Sequence, residues 1–375
     1  MEVKSPGLYI HIPFCKTRCG YCDFYSITQI EFIPEYLAAL ERELELYRDE
    51  FTSFDTVYFG GGTPSLLRPE QIGDLIDAIR KTFVILPGAE ITCEVNPADL
   101  NREDLKRLHD LGVNRLNIGV QSFDDDELAL LGRRHNRSQA IRAMEDARSA
   151  GFENIGLDLI YCLPGQSLSG WESTLSQAID LAPEHLSCYE LELKTHTPLG
   201  QRLAQGEIVQ PGEDVQREFF LRTSEILEAA GFIHYEVSNF ACGMDKASRH
   251  NQKYWDHTPY LGLGPSAHSF RGNRRWWNHA ALQDYLMGLG EGQKPVAGYE
   301  ILSPDQLYSE ALMLGFRTSR GIDLEKLKSG FGRDLLCEKA QVLEQYRRAG
   351  LIMIEQGFIR PTRAGLSVAD GLAGL

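Results

Sequence analysis

The sequence predicts an α/β protein: six strand–helix units in series, a looser middle stretch, and a smaller helical domain closed by a short hairpin. Three observations lead there. Short β-rich apolar runs alternate with helical patterns over the first half, that alternation stops near Pro198, and from Ser303 helical patterns precede two short strands.

Taken in order, the runs 8–12, 56–59, 91–95, 115–120, 155–160 and 185–193 read as strands. The segments 34–47, 69–82, 102–111, 138–150 and 168–181 read as helices, several opened by Pro, Asn or Ser, with Gly112 and Gly151 as stops. Strands linked by helices of this length need right-handed crossovers and so a parallel sheet, either curved into a barrel or left open. Six units are fewer than an eight-stranded barrel requires. Beyond them come a helix at 213–230, a strand near 234–237, and a tract rich in His, Trp, Tyr and Gly. The C-terminal patterns are helices at 305–314, 324–327 and 334–348, then strands at 351–354 and 358–361 turned at Glu355-Gln356-Gly357, an order resembling a winged helix. The chain thus divides into 1–205, 206–295 and 296–375.

Acidic residues outnumber basic ones by 53 to 38, and the net charge of −15 disfavours nucleic acid as a partner. Residues 1–12 carry no leader pattern, and no window approaches the roughly 18 apolar residues that span a membrane. A cytoplasmic, non-membrane-spanning protein is expected. Eight cysteines are too sparse for a disulfide scaffold.

Three of them, Cys15, Cys19 and Cys22, crowd onto the loop after the first strand. Thiolates are the ligands of iron–sulfur clusters, and three on a four-iron cube leave one iron open to a small molecule. Structural zinc prefers four ligands, and inert core cysteines do not gather on a Gly-containing loop. The remaining five cysteines are scattered and read as small core residues.

The spacing Cys-x3-Cys-x2-Cys, with Tyr21 just before the last, resembles the signature of the radical SAM superfamily. That resemblance implies a partial (β/α)6 barrel, a [4Fe-4S] cluster on the three thiols, and S-adenosylmethionine (SAM) on the open iron. The glycines of Gly60-Gly61-Gly62-Thr63-Pro64 let backbone N–H groups approach a ligand closely. Glu94 and Gln121 end the third and fourth strands. Asp158 interrupts an apolar strand, where a carboxylate needs a ribose hydroxyl or an arginine beside it.

HIPFC, GGGTPS, CEVNP, GVQSFDDDEL and LDLIYCLPGQ resemble one subgroup, the HemN-like proteins of oxygen-independent porphyrin metabolism, and 303–365 resembles the HemN-type C-terminal domain. By that resemblance Tyr9, Tyr21, Gly61, Gly62, Thr63, Glu94, Gln121, Arg133 and Asp158 contact SAM.

Two functions compete: a coproporphyrinogen III dehydrogenase and a HemW-type haem chaperone. The dehydrogenase pattern has a fourth cysteine where Phe24 stands, and a long N-terminal extension that this sequence lacks. His250-Asn-Gln-Lys-Tyr254-Trp255 resembles the HNxxYW motif of the HemW proteins, with His250 the candidate haem ligand and Tyr254 and Trp255 able to pack a flat macrocycle. His257 and His268 are substitutes for that ligand, and Arg271, Arg274 and Arg275 suit haem propionates or a solvated loop equally. The chaperone reading implies haem as cargo and haem-requiring acceptors, respiratory proteins among them. It assigns no catalytic residue and requires no turnover; the oligomeric state stays open, a homodimer included.

Overall fold

The structure, a computed structural model, describes residues 4–374. Its centre is one twelve-stranded sheet. Six strands, β1 (Gly7–Ile12), β2 (Ser53–Gly61), β3 (Val84–Val95), β4 (Arg115–Gln121), β5 (Ile155–Tyr161) and β6 (His185–Glu190), lie side by side in chain order, every pair parallel. Helices cover their outer face, as a parallel sheet requires. The helix Pro69–Thr82 starts with proline in its first turn and buries Ile72, Leu75, Ile76 and Ile79 at i, i+3, i+4 and i+7. The helices Arg102–Asp110, Asp125–Leu131, Arg137–Ser149 and Leu168–Asp180 are each opened by a side chain that accepts a first-turn N–H, from Asn101, Asp124, Asn136 and Ser167.

Both edges of the six-strand run are extended. Beyond β6 lie β8 (Asn239–Ala241) and β7 (Ile233–Glu236), both antiparallel additions. On the other side β9 (Tyr260–Leu263) pairs parallel with β1, and an antiparallel meander follows through β10 (His268–Arg271), β11 (Arg274–Asn278) and β12 (Val296–Ile301). The sequence reading missed this meander because its strands are four to six residues long and carry little apolar alternation. The strand that heads the expected third segment, β12, hydrogen-bonds into the large sheet. Two contacts tie the added strands inward: Trp276 Nε1–H donates to Tyr47 Oη at 3.0 Å, and the buried Glu43 accepts from Tyr285, Asn278 and the N–H of Gly264.

A second core gathers Tyr308, Leu312, Phe316, Ile352 and Ile359 around the three-stranded sheet β13 (Ile322–Asp323), β15 (Phe358–Pro361), β14 (Ile352–Glu355). Helices packed on a small antiparallel sheet match the winged-helix expectation. The helix expected over 334–348 is two, Leu335–Glu338 and Ala340–Arg348, broken at Lys339, so that Leu335 and Leu343 both reach the core. This domain docks on β7: Val237 N donates to Arg317 O at 2.8 Å and Ser319 N to Tyr235 O at 3.1 Å. Among the described residues, no helix is long and apolar enough to cross a membrane.

Candidate functional site

The site lies at the carboxyl ends of the parallel strands, where open α/β sheets hold ligands. The loop after β1 is stitched down on both sides of the cysteines. Cys15 N donates to Ile27 O at 2.8 Å, Ile27 N returns a bond to Pro13 O at 2.7 Å, and Gly20 exchanges bonds with Leu131 O and Leu199 N. Tyr21 packs against Leu131, Ile160 and Leu199. Across from this loop Gly62 N donates to Ile12 O at 2.8 Å, a closeness only glycine permits, since a β-carbon there would lie 2.8 Å from Phe14 O.

Cys15, Cys19 and Cys22 line one cavity of about 220 Å³. Thr63 Oγ1–H donates to Cys15 Sγ at 3.4 Å, and an Arg133 N–H reaches Cys19 Sγ at 3.5 Å. Among the described residues no three His, Cys, Asp or Glu side chains converge closely enough for a single metal ion. Three thiols on one cavity are the ligand type that an iron–sulfur cluster takes.

The same cavity is lined by Tyr21, Gly61, Gly62, Thr63, Glu94, Gln121, Arg133 and Asp158. Glu94 is clamped: it accepts from Tyr58 Oη–H at 2.8 Å and from Gly61 N at 3.3 Å, tying the end of β3 to the glycine loop of β2. Burial, reinforced by the Asp158 charge, pushes the Glu94 carboxyl up to about 7. Burial likewise raises Asp158, whose Oδ2 accepts from Asn117 at 2.6 Å. Gln121 stands at a bulge between β4 and β5 with φ +71°.

Several polar atoms here are buried with no hydrogen-bond partner among the described residues: Asp158 Oδ1, Asn117 Oδ1, Arg133 Nε and two nitrogens of Arg115. Orphaned donors and acceptors of both kinds around one cavity fit a compact ligand with hydroxyls, amino and carboxylate groups, as SAM has. Arg115, Asn117 and Ser187 were missed by the sequence reading. The signal for the first two was the alternation of polar Arg115, Asn117 and Gln121 along β4, all three lining the cavity; Ser187 lies on β6 and gave none.

Two expected residues lie elsewhere. Tyr9 stands behind the cavity, its hydroxyl 3.2 Å from His11 Nδ1 and its ring against Tyr58 and His250. His250 is 1% exposed, with Nδ1 2.9 Å from Thr56 Oγ1 and Nε2 2.9 Å from Tyr254 Oη. Burial lowers its pKa to about 3 and so keeps the imidazole neutral, but with both ring nitrogens engaged it presents no free lone pair to iron in this arrangement. The three arginines are also taken: Arg271 bonds Glu50 O, Arg274 lies over Trp276 and Tyr299, and Arg275 pairs with Glu300 and Glu310.

The motif helix Arg249–Trp255 nevertheless touches two cavities. Asn251 lines the barrel mouth, while Gln252 and Trp255 line a second cavity of about 580 Å³ against the C-terminal domain.

The chain is similar to known proteins over most of its length. Residues 9–178 match the Radical SAM superfamily and residues 302–368 the HemN C-terminal domain. The chain is 38% identical over 357 residues to the heme chaperone HemW of Mycobacterium tuberculosis, covering 94% of this chain and 91% of that one. It is 35% identical over 373 residues to the heme chaperone HemW of Bacillus subtilis, covering 98% and 97%. Among solved structures, the coproporphyrinogen III oxidase HemN of Escherichia coli, a radical SAM enzyme, superposes with a TM-score of 0.85 at 25% identity, over 99% of this chain and 90% of that one.

Proposed function

Because the chain belongs to the HemW family of the radical SAM superfamily, we propose that it is a haem chaperone, which binds haem and passes it to haem-requiring acceptor proteins, respiratory ones among them. The observation that carries this reading over a porphyrinogen dehydrogenase is the similarity along the chain: 35–38% identity to HemW haem chaperones over 94–98% of it, against 25% to the HemN oxidase. Phe24, 68% exposed where the dehydrogenase pattern has a fourth cysteine, supports the same choice.

Membership of the superfamily implies a [4Fe-4S] cluster and SAM, which together supply one-electron chemistry when bound. Cys15, Cys19 and Cys22 would hold the cluster. Arg133 sets a cation against the Cys19 sulfur, and the Thr63 hydroxyl donates to that of Cys15. Gly61, Gly62, Gln121 and Asp158 would contact SAM beside Tyr21, while Glu94 holds the glycine loop in place and Tyr9 supports that wall from behind. His250 acts through Thr56 and Tyr254 as a positioning residue, its imidazole joining β2 to the motif helix. Segment 1–205 would then be the cofactor-bearing barrel, 206–295 its extension with the motif, and 296–375 the domain that closes the second cavity, reached through β12.

The test is anaerobic reconstitution with iron and sulfide, followed by two assays on one sample. One offers haem and then an apo-haem protein; the other offers coproporphyrinogen with SAM and a reductant. Haem uptake and transfer without protoporphyrinogen is the expected result. Steady conversion to protoporphyrinogen would overturn the proposal in favour of the dehydrogenase.

A further inference from the structure

The cavity between the motif helix and the C-terminal domain is more than twice the size of the barrel mouth and sits away from the cysteines. Its volume of about 580 Å³ falls inside the range of ordinary small-molecule sites. One wall is a single stripe of the helix Pro304–Phe316, where Leu307, Ala311 and Gly315 recur every fourth residue. Trp255 and His257 line it too. Apolar walls and an indole suit a flat aromatic ligand.

His257 is set up differently from His250. Its Nε2 lies 3.2 Å from Glu310 Oε2, and that carboxylate is held in turn by Arg275 at 2.8 Å. An Nε2–H donated to a carboxylate fixes the tautomer and leaves the lone pair on Nδ1, the arrangement that prepares a histidine to bind metal. Among the described residues nothing bonds that Nδ1. The residue also holds φ +55°, a conformation rare for a side chain of this size.

One further observation points to a ligand with acidic groups. Arg320 and Lys326 line the cavity, and among the described residues neither has a carboxylate within 4.0 Å.

We propose that haem binds in this inter-domain cavity, with His257 Nδ1 as an axial ligand to iron, Glu310 and Arg275 orienting that imidazole, Trp255 against the macrocycle, and Arg320 and Lys326 receiving the propionates. The proposal rests on the chaperone reading and gives it a site. It moves the cargo away from His250 and the barrel mouth, so haem and SAM occupy separate cavities that share the motif helix.

The experiment titrates haem into the reconstituted full-length protein, reading the Soret band and the resonance Raman iron–histidine mode. It compares the parent with His257→Ala, Ala311→Trp, Glu310→Gln and His250→Ala, each checked for fold by circular dichroism and for iron content. Expected are one haem per parent chain, loss of the histidine-ligated spectrum in His257→Ala with recovery on added imidazole, and affinity at least about tenfold weaker in Ala311→Trp at unchanged iron content. Glu310→Gln should keep the ligand and shift the iron–histidine mode, which a merely structural contact would not move. If His257→Ala and Ala311→Trp keep the parent spectrum and affinity while His250→Ala loses both, haem binds elsewhere and the site proposal is wrong with the chaperone reading intact. A parent that takes up no haem overturns the chaperone reading, and the site with it.

Discussion

Replacing Gly62 by alanine tests whether close backbone contact positions the cysteine loop. A β-carbon at that position would lie 2.8 Å from Phe14 O, 2.9 Å from Ile12 O and 3.0 Å from Phe14 N. Carbon–oxygen contacts between packed backbones settle at about 3.3–3.6 Å, so the loop bearing Cys15 must retreat by roughly half an ångström. All three obstacles are backbone, so no rotamer change relieves them, and the cost belongs at the upper end of the ~1–3 kcal/mol typical of overpacking. The retreat also stretches the Gly62 N–H to Ile12 O bond and draws Cys15 away from Thr63. The assay pairs urea unfolding of the unloaded protein with iron and sulfide content after anaerobic reconstitution. Gly62→Ala should unfold at lower urea and take up less cluster. Gly290→Ala, whose β-carbon would meet nothing within 4 Å, should instead gain a few tenths to about 1 kcal/mol. Full cluster content with an unchanged urea midpoint in Gly62→Ala would refute the idea that this contact sets the loop.

Other changes are expected as follows. Burial pushes the Glu43 carboxyl up to about 7 from an unfolded value near 4.5, so the native state holds a proton that the unfolded chain has lost, and stability falls as pH rises between those values. The loss attributable to Glu43 is on the order of 3 kcal/mol. Glu43→Gln should narrow the difference in urea midpoint between pH 5 and pH 8, whatever its effect at either pH alone. The Asp99 side chain is almost fully buried and accepts two 2.8 Å bonds from Arg134; Arg134→Ala should cost about 1–3 kcal/mol by denaturant titration, because it leaves that carboxylate only Lys16 at 3.1 Å and Ser65 at 3.3 Å. Removing the Asn136 cap with Asn136→Ala should cost about 1 kcal/mol, read as a drop in thermal midpoint with unchanged cluster content.

The six-strand core was legible because each unit repeats one pattern: a short β-rich run, a helix with an apolar stripe, and a Gly or polar cap between them. The cysteine loop was equally plain, since ligand chemistry restricts both residue type and spacing. The cavity around it was half legible. Glu94, Gln121 and Asp158 stood out against apolar neighbours, whereas Arg115 and Asn117 passed unremarked because polar side chains alternate just as often on an exposed strand. What the sequence could not reveal is long-range partnership. His250 reads as a ligand until Thr56 and Tyr254 are seen to hold both its nitrogens, and neither bond is predictable from spacing. Likewise β9 through β12 are short strands whose register is set by β1 and by one another, a non-local decision that a window of a dozen residues cannot see.

The parallel pairing of β1 with β9 carries a consequence for biosynthesis. Once β2 has emerged, one side of β1 can be satisfied, but its other side waits for residues 260–263, about 200 residues later. At ~5–20 residues per second the ribosome needs roughly 10–40 s to deliver them. Through that interval the strand that leads into the cysteine loop is an open sheet edge, a template for pairing with other chains. Slowing translation after β6 should therefore raise aggregation of the nascent chain.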